Sequence, residues 1–308
     1  MTSVASPPTR TGAVIIGRNE GERLRACLTS TVGRVHRAVY VDSGSTDHSL
    51  TVARTLGVEA LALDPALPFT AARARNAGFR HLQQSLPDMA FVQFIDGDCE
   101  LHPNWIEAAT AVMRRSPDAA IICGRRRERA SFDSVYNHLC DIEWNTPIGQ
   151  ADSCGGDFLA RADAFASVGG FTEELIAGEE PDLCHRLRNA GWKIYRIARE
   201  MTLHDAAMYR FSQWWQRNRR SGHASAEALH RRGSDDPRLL RAVLSNLFWA
   251  NPLTWPLWPL LWWRIARRGG GLYATFILLG KFPHCQGQIQ YWLSIFKSSK
   301  NTRIIEYK

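Results

Sequence analysis

The sequence has no CxxC pair, and its seven cysteines, an odd number, are scattered from Cys27 to Cys285. That spacing excludes a disulfide framework and a zinc cluster, and points to a reducing compartment. The first dozen residues, MTSVASPPTRTG, hold no apolar core, so no secretion signal is expected. No internal repeat or low-complexity tract is present. A clean apolar run of about 20 residues, enough to span a bilayer, is also missing. The nearest approach, LLRAVLSNLFWANPLTWPLWPLLWW, is interrupted by Pro252, Pro256 and Pro259. Acidic residues are scarce in one place: residues 206–308 hold 4 Asp/Glu against 16 Lys/Arg, whereas residues 1–205 hold 26 against 22. Eight of the 11 tryptophans lie after residue 205. This asymmetry predicts two parts with two tasks, 1–205 and 206–308.

What is present is ordinary for a folded chain of 308 residues: 45% hydrophobic and 22% charged. Short apolar runs alternate with stretches of helical period. AVIIG, AVYVD, EALALD, FVQFID and AAIICG read as strands. ERLRACLTST, LTVARTLG, TAARARNAGFRHLQQSL and HPNWIEAATAVMRRS read as helices. The alternation predicts an α/β fold with a mostly parallel sheet flanked by helices. In such sheets the working loops sit at the carboxyl ends of the strands.

Three acidic stretches fall at such positions or at a helix start. FIDGDCEL places Asp96 and Asp98 one residue apart on a strand-end turn. They are either a plain Asp-Gly turn or oxygen ligands for a hard divalent cation. VDSGSTD places Asp42 where it can accept from a base or a ribose hydroxyl, while Ser45, Thr46 or Asp47 caps the next helix. GEEPDLCHRL clusters Glu179, Glu180 and Asp182 at a helix start. There they complement the helix dipole, or one of them serves as a general base. His204, past a strand-like segment, is a structural histidine or a third metal ligand.

Taken in order, VIIGRNEGERL, VDSGSTD, ARNAGF, FIDGDCEL, GGDFLARADAFASVGGF and GEEPDLCHRL resemble an inverting glycosyltransferase of family 2, over roughly residues 10–205. The resemblance implies a GT-A nucleotide-diphospho-sugar transferase fold. It puts Arg18, Asn19 and Glu20 against the nucleotide, Asp42 on the base, and Arg75 and Asp96 on the nucleotide. Asp98, with Asp96 and His204, would hold Mn²⁺ or Mg²⁺. Glu180 matches the second position of the family's acid pair and becomes the general base, with Asp182 in reserve and Glu179 beside it. QWWQRNRR resembles the QxxRW element of processive relatives but lacks the Arg-Trp order, so a processive polymerase is not expected.

The implied partners are a nucleotide-diphospho-sugar donor and a glycan or polyprenyl-linked acceptor, with no nucleic acid. Residues 206–308 are expected to form a helical, membrane-proximal extension. Its tryptophans 255, 258, 262 and 263 and Arg264, Arg267 and Arg268 would meet the headgroups of the cytoplasmic face of the plasma membrane. The competing readings are a sugar-nucleotide nucleotidyltransferase and a non-catalytic membrane-associated scaffold. The first lacks a convincing triphosphate loop. The second is opposed by the intact acidic motifs.

Overall fold

The computed structural model describes residues 10–233 and 236–296. The N-terminal nine residues, and with them most of the segment expected to carry no secretion signal, lie outside these. The chain divides into two compact units. The first comprises residues up to 129, 144–175 and 179–206; the second comprises 130–143, 176–178 and 207 onward.

The first unit is built on nine strands: β1 (Arg10–Gly17), β2 (Arg37–Asp42), β3 (Glu59–Ala62), β4 (Met89–Asp96), β5 (Cys99–Leu101), β6 (Ala119–Glu128), β7 (Gly149–Gln150), β8 (Phe158–Arg161) and β9 (Lys193–His204). They form one sheet in the order β3-β2-β1-β4-β8-β6-β9-β5, with β7 on β9. The expected parallel pairing holds for β3-β2-β1-β4 and again for β6 with β9. Between them β8 runs antiparallel to both neighbours, and β5 and β7 run antiparallel to β9. The sheet is therefore mixed. The strands β4 and β5 are joined by the tight turn at Gly97, which reverses the chain without a crossover helix.

Helices α1 (Glu22–Thr31), α2 (Ser49–Thr55), α3 (Ala71–Ser85), α4 (Trp105–Arg115), α6 (Ala162–Ser167) and α7 (Glu179–Asn189) belong to this unit. The central strands are near-continuous apolar runs because both faces are covered: Ala13, Val14, Ile15, Val39, Val41, Phe94 and Ile95 are all fully buried. Phe94 packs with Phe158, Phe165 and Phe171, at ring-centroid distances of 5.2, 5.0 and 5.5 Å. This aromatic cluster fixes the underside of the β4 exit.

The second unit is helical: α5 (Val135–Glu143), α8 (Phe211–Arg232), α9 (Pro237–Ala250), α10 (Trp258–Leu279) and α11 (Lys281–Phe296). The prolines act as the sequence indicates. Pro252–Leu257 is a 3-10 turn separating α9 from α10. Gln213 of QWWQRNRR accepts from the backbone N–H groups of Tyr209 and Arg210 at the start of α8, and Arg217 pairs with Glu143 at 2.7 Å. Among the described residues, no helix is long and apolar enough to cross a membrane. Leu244, Phe248, Leu253, Trp255, Leu260 and Trp263 are nevertheless exposed.

Candidate active site

The carboxyl ends of β1, β2 and β4 lie side by side, so the loops Arg18–Glu20, Ser43–Asp47 and Gly97–Asp98 share one edge of the sheet. The first two loops are laced together. Asn19, at φ 57°, donates its N–H to Ser45 Oγ (2.9 Å) and accepts the Thr46 N–H on Oδ1 (2.7 Å). Asp47 accepts from the N–H groups of Gly21 (3.1 Å) and Ser49 (2.9 Å), which closes the turn into α2. Asp42 is buried and accepts from Tyr40 Oη (2.9 Å), Gly44 N (3.0 Å) and Ser45 N (2.8 Å). Glu20 pairs with Arg23 at 2.8 Å, and the Arg18 guanidinium lies 6.0 Å from the Phe69 ring centre.

Asp96 ends β4 inside a dense ionic network. Arg75, from α3, donates to Asp96 Oδ1 at 2.7 Å and to Glu179 Oε1 at 2.9 Å. Arg126, from β6, donates to the other Asp96 oxygen at 3.1 Å and pairs with Asp157. Burial alone would raise the Asp96 carboxyl, but Arg75 and then Arg126 prevail and hold it well below the usual carboxylate range. Asp157 is fully buried. It accepts from the Asp96 N–H (3.0 Å), Arg126 Nε (2.8 Å) and Thr202 Oγ1 (2.8 Å). The backbone is tight against this network. A Cβ at Gly156 would sit 2.8 Å from Asp96 Oδ2 and 3.0 Å from an Arg75 nitrogen, and one at Gly97 would sit 3.0 Å from the Ile16 carbonyl. Only glycine lets the chain approach so closely.

Asp98 and His204 meet although they are remote in sequence, because β5 pairs with the end of β9, Cys99 opposite His204. His204 Nε2 lies 3.5 Å from Asp98 Oδ1, and Nδ1 lies 3.5 Å from the buried Glu128. Trp144 packs edge-on against the imidazole, centroids 4.7 Å apart. Burial lowers the His204 pKa, so the ring is neutral and able to offer a nitrogen lone pair.

Asp98, Cys99 and His204 present ligand atoms within 4.8 Å of one another. An oxygen and an imidazole nitrogen at this spacing fit a divalent ion such as Mn²⁺, with the Glu128 carboxylate on the other side of the histidine. Asp96 and Asp157 with Cys99 form a second group of similar size. There the carboxylates already face guanidinium groups, and the set fits a cation less well.

The three acids at the start of α7 have separate surroundings. Glu179 is paired with Arg75. Asp182 accepts from Thr172 Oγ1 (2.8 Å) and Arg186 Nε (2.9 Å). Glu180 is buried, and its Oε1 accepts the Cys154 N–H (2.6 Å) and the Cys184 thiol (3.0 Å). Burial, largest among the causes, raises the Glu180 pKa. Burial likewise pushes the Cys184 thiol up to about 11, which keeps it an un-ionised donor.

The structure thus gathers Arg75, Asp96, Asp98, Glu179, Glu180 and His204 in one unit, with Asp42 and Asn19 holding the neighbouring loops. Sequence reading missed Arg126, Asp157 and Glu128. GGDFL carried a signal for Asp157, an acid between paired glycines and a strand. Arg126 and Glu128 lay hidden in a basic strand exit, RRRE.

A mixed sheet of this order, with acidic turns along its carboxyl edge, is the fold of a known transferase class. The mannosyltransferase PcManGT from Pyrobaculum calidifontis, in complex with GDP-Man and Mn²⁺, matches 92% of this chain and 87% of its own at 15% identity and a TM-score of 0.59. Residues 13–160 match the family described as "Glycosyl transferase family 2". Over that stretch, just under half of its 308 residues, the chain is similar to this family. Among curated proteins it is similar to Glycosyltransferase AglE of Haloferax volcanii, 24% identical over 57% of this chain and 60% of that one. It is also similar to the Pre-mycofactocin glycosyltransferase of Mycobacterium tuberculosis, 27% identical over 65% of this chain and 44% of that one. The matched part is thus less than two thirds of each relative's length.

Proposed function

We propose that this chain moves a sugar from a nucleotide-diphosphate donor to an acceptor hydroxyl, with inversion at the anomeric carbon. The observation that carries this is Arg75. By bonding Asp96 and Glu179 at once, it ties the Asp96–Asp98 turn to the helix bearing Glu180. A donor-side metal pair and an acceptor-side base therefore belong to one site. The PcManGT structure, holding GDP-Man and Mn²⁺, supports a nucleotide-sugar donor by analogy of fold.

In this reading Asp42 and the Asn19-laced loops bind the nucleotide, with Arg18 and Glu20 at the rim. Asp98 and His204 hold a divalent cation, Mn²⁺ or Mg²⁺, and Asp96, kept ionised by two arginines, orients the turn. The cation, when bound, offsets the charge that builds on the departing diphosphate. Glu180 takes the proton from the acceptor hydroxyl. The new bond forms at the anomeric carbon from the face opposite the breaking bond to the diphosphate. The raised Glu180 pKa suits this step, since a base works best when its pKa approaches the operating pH. Glu179 and Asp182, already bonded to arginines, serve as positioning groups. The test is release of nucleoside diphosphate from a panel of nucleotide sugars with Mn²⁺ and a hydroxyl acceptor. Release from at least one donor, abolished by EDTA, is expected; none across the panel refutes the reading.

We further propose that residues 206–308 bring this activity to an anionic bilayer, where a polyprenyl-linked or other surface glycan is the acceptor, at the cytoplasmic face of the plasma membrane. Exposed Trp255, Trp262 and Trp263, with Arg267 stacked 4.7 Å over Trp263, support an interfacial surface. Arg264 adds charge; the Arg268 side chain lies outside the described residues. Co-sedimentation with vesicles containing phosphatidylserine is expected for the full chain, weakening with salt, and not for vesicles of phosphatidylcholine alone. Equal partitioning onto both would refute the lipid-charge argument.

A further inference from the structure

A cavity of about 710 Å³ in the first unit has no part in the chemistry above. Four arginines line it, Arg125, Arg127, Arg196 and Arg199, against two glutamates, Glu107 and Glu200. None of Asp42, Asp96, Asp98, Glu180 or His204 reaches it.

The cavity arises from an irregularity in the sheet. Along β6 and β9, Cys123 stands opposite Arg196 but Arg125 stands opposite Glu200, so β9 carries two extra residues between these pairs. Residues 197–199 swing out as a bulge and become one wall. Bulges of this kind re-aim side chains and cluster near sites of function. Here the bulge turns Arg199 outward, where it is exposed. Arg126, between two of the lining arginines, points to Asp96 instead.

One of the lining guanidiniums is poorly suited to an empty space. Arg196 is only 5% exposed; one terminal nitrogen reaches Asn145 Oδ1 at 3.4 Å, and its Nε has no hydrogen-bond partner. Arg125 is also buried, and donates to the Arg126 carbonyl at 2.7 Å. Glu200 is already engaged by Arg127 through two 2.8 Å bonds. A buried cation such as Arg196 without a matching anion is costly, so the site gains from a negatively charged occupant. The lining also includes Asn104 and Glu107 at the start of α4, and Asn104 makes no side-chain cap there. A helix N-terminus carries partial positive charge, which adds to that of the arginines.

We propose that this cavity binds an organic phosphate carrying two or more negative charges. Its volume falls within the range of small-molecule pockets, about 300–1,000 Å³, and is larger than inorganic phosphate needs. Planar guanidinium groups match phosphate oxygens two at a time, which favours this class of anion over a monocarboxylate.

Calorimetric titration of the full chain with inorganic pyrophosphate, in buffer containing EDTA, tests the proposal. Saturable binding is expected, weakening as salt rises. Arg196→Gln and Arg199→Glu are each expected to weaken it about tenfold, the effect of losing one charged hydrogen bond. Arg199 lies on the exposed bulge, so its variant answers the question even if Arg196→Gln disturbs packing. Absence of saturable binding overturns the proposal, as does full retention in Arg199→Glu. Binding lost in Arg75→Gln but kept in Arg199→Glu would place the anion at the Asp96 site and also overturn it.

Discussion

Glu180→Gln is expected to lower kcat by about 10²- to 10⁴-fold, the usual worth of a positioned general base. The amide keeps an oxygen for the Cys154 N–H and the Cys184 thiol, so the fold and the circular-dichroism spectrum should hold. The pH profile supplies a sharper readout. Burial raises the Glu180 pKa, so the protonated, inactive form persists above the ordinary glutamate value of about 4.3. Activity of the native enzyme should rise with pH through a limb lying above that value, and the variant should lose the limb. Folding stability runs the other way. A carboxyl whose pKa is raised in the folded state contributes most below its unfolded pKa and loses that contribution as pH climbs through the folded one. Asp182→Asn should leave the limb in place, since Asp182 is bonded to Thr172 and Arg186. If Asp182→Asn removes it and Glu180→Gln does not, the base is Asp182.

Asp98→Asn should reduce turnover by about 10³-fold or more, since removing charge compensation at a leaving group costs several kcal/mol of barrier. The independent measurement is thermal. Mn²⁺ should raise the melting temperature of the native chain in a concentration-dependent way, because a ligand that binds only the folded state stabilises it. Asp98→Asn should abolish that shift. Asp96→Asn should retain much of it, because the Asp96 oxygens face Arg75 and Arg126. A full Mn²⁺ shift in Asp98→Asn would move the cation elsewhere.

The strands were legible because both sheet faces are covered, which writes β1, β2 and β4 as apolar runs ending at Gly17, Asp42 and Asp96. The prolines near residue 255 announced the break between α9 and α10 just as directly. The antiparallel insertion of β8 was not legible, since FLAR is too short to declare a direction. Asp42, Asp96, Asp98 and the acids of α7 stood out because carboxylates at strand ends and helix starts are local signals. Arg126 and Asp157 did not. Each gains its meaning only when β6, β8 and β9 are aligned, and no local pattern distinguishes Arg126 from its neighbours. The separate surroundings of Glu179 and Glu180 were equally hidden, because they depend on Arg75 and Cys154, both distant in the chain.

The pairing of Cys99 with His204 has a consequence for how the protein is made. The strand that carries Asp98 into place is three residues long and lies at the sheet's margin, held by a partner translated much later. During synthesis the first five strands emerge with half of the Asp98–His204 pair and nothing to complete it. A ribosome-bound chain stalled before residue 204 would carry the loops after β1 and β2 yet lack the imidazole. Such long-range closure is slow compared with local folding. This late strand is therefore the one that brings His204 to Asp98, and a chain ending before it should be silent rather than partly active.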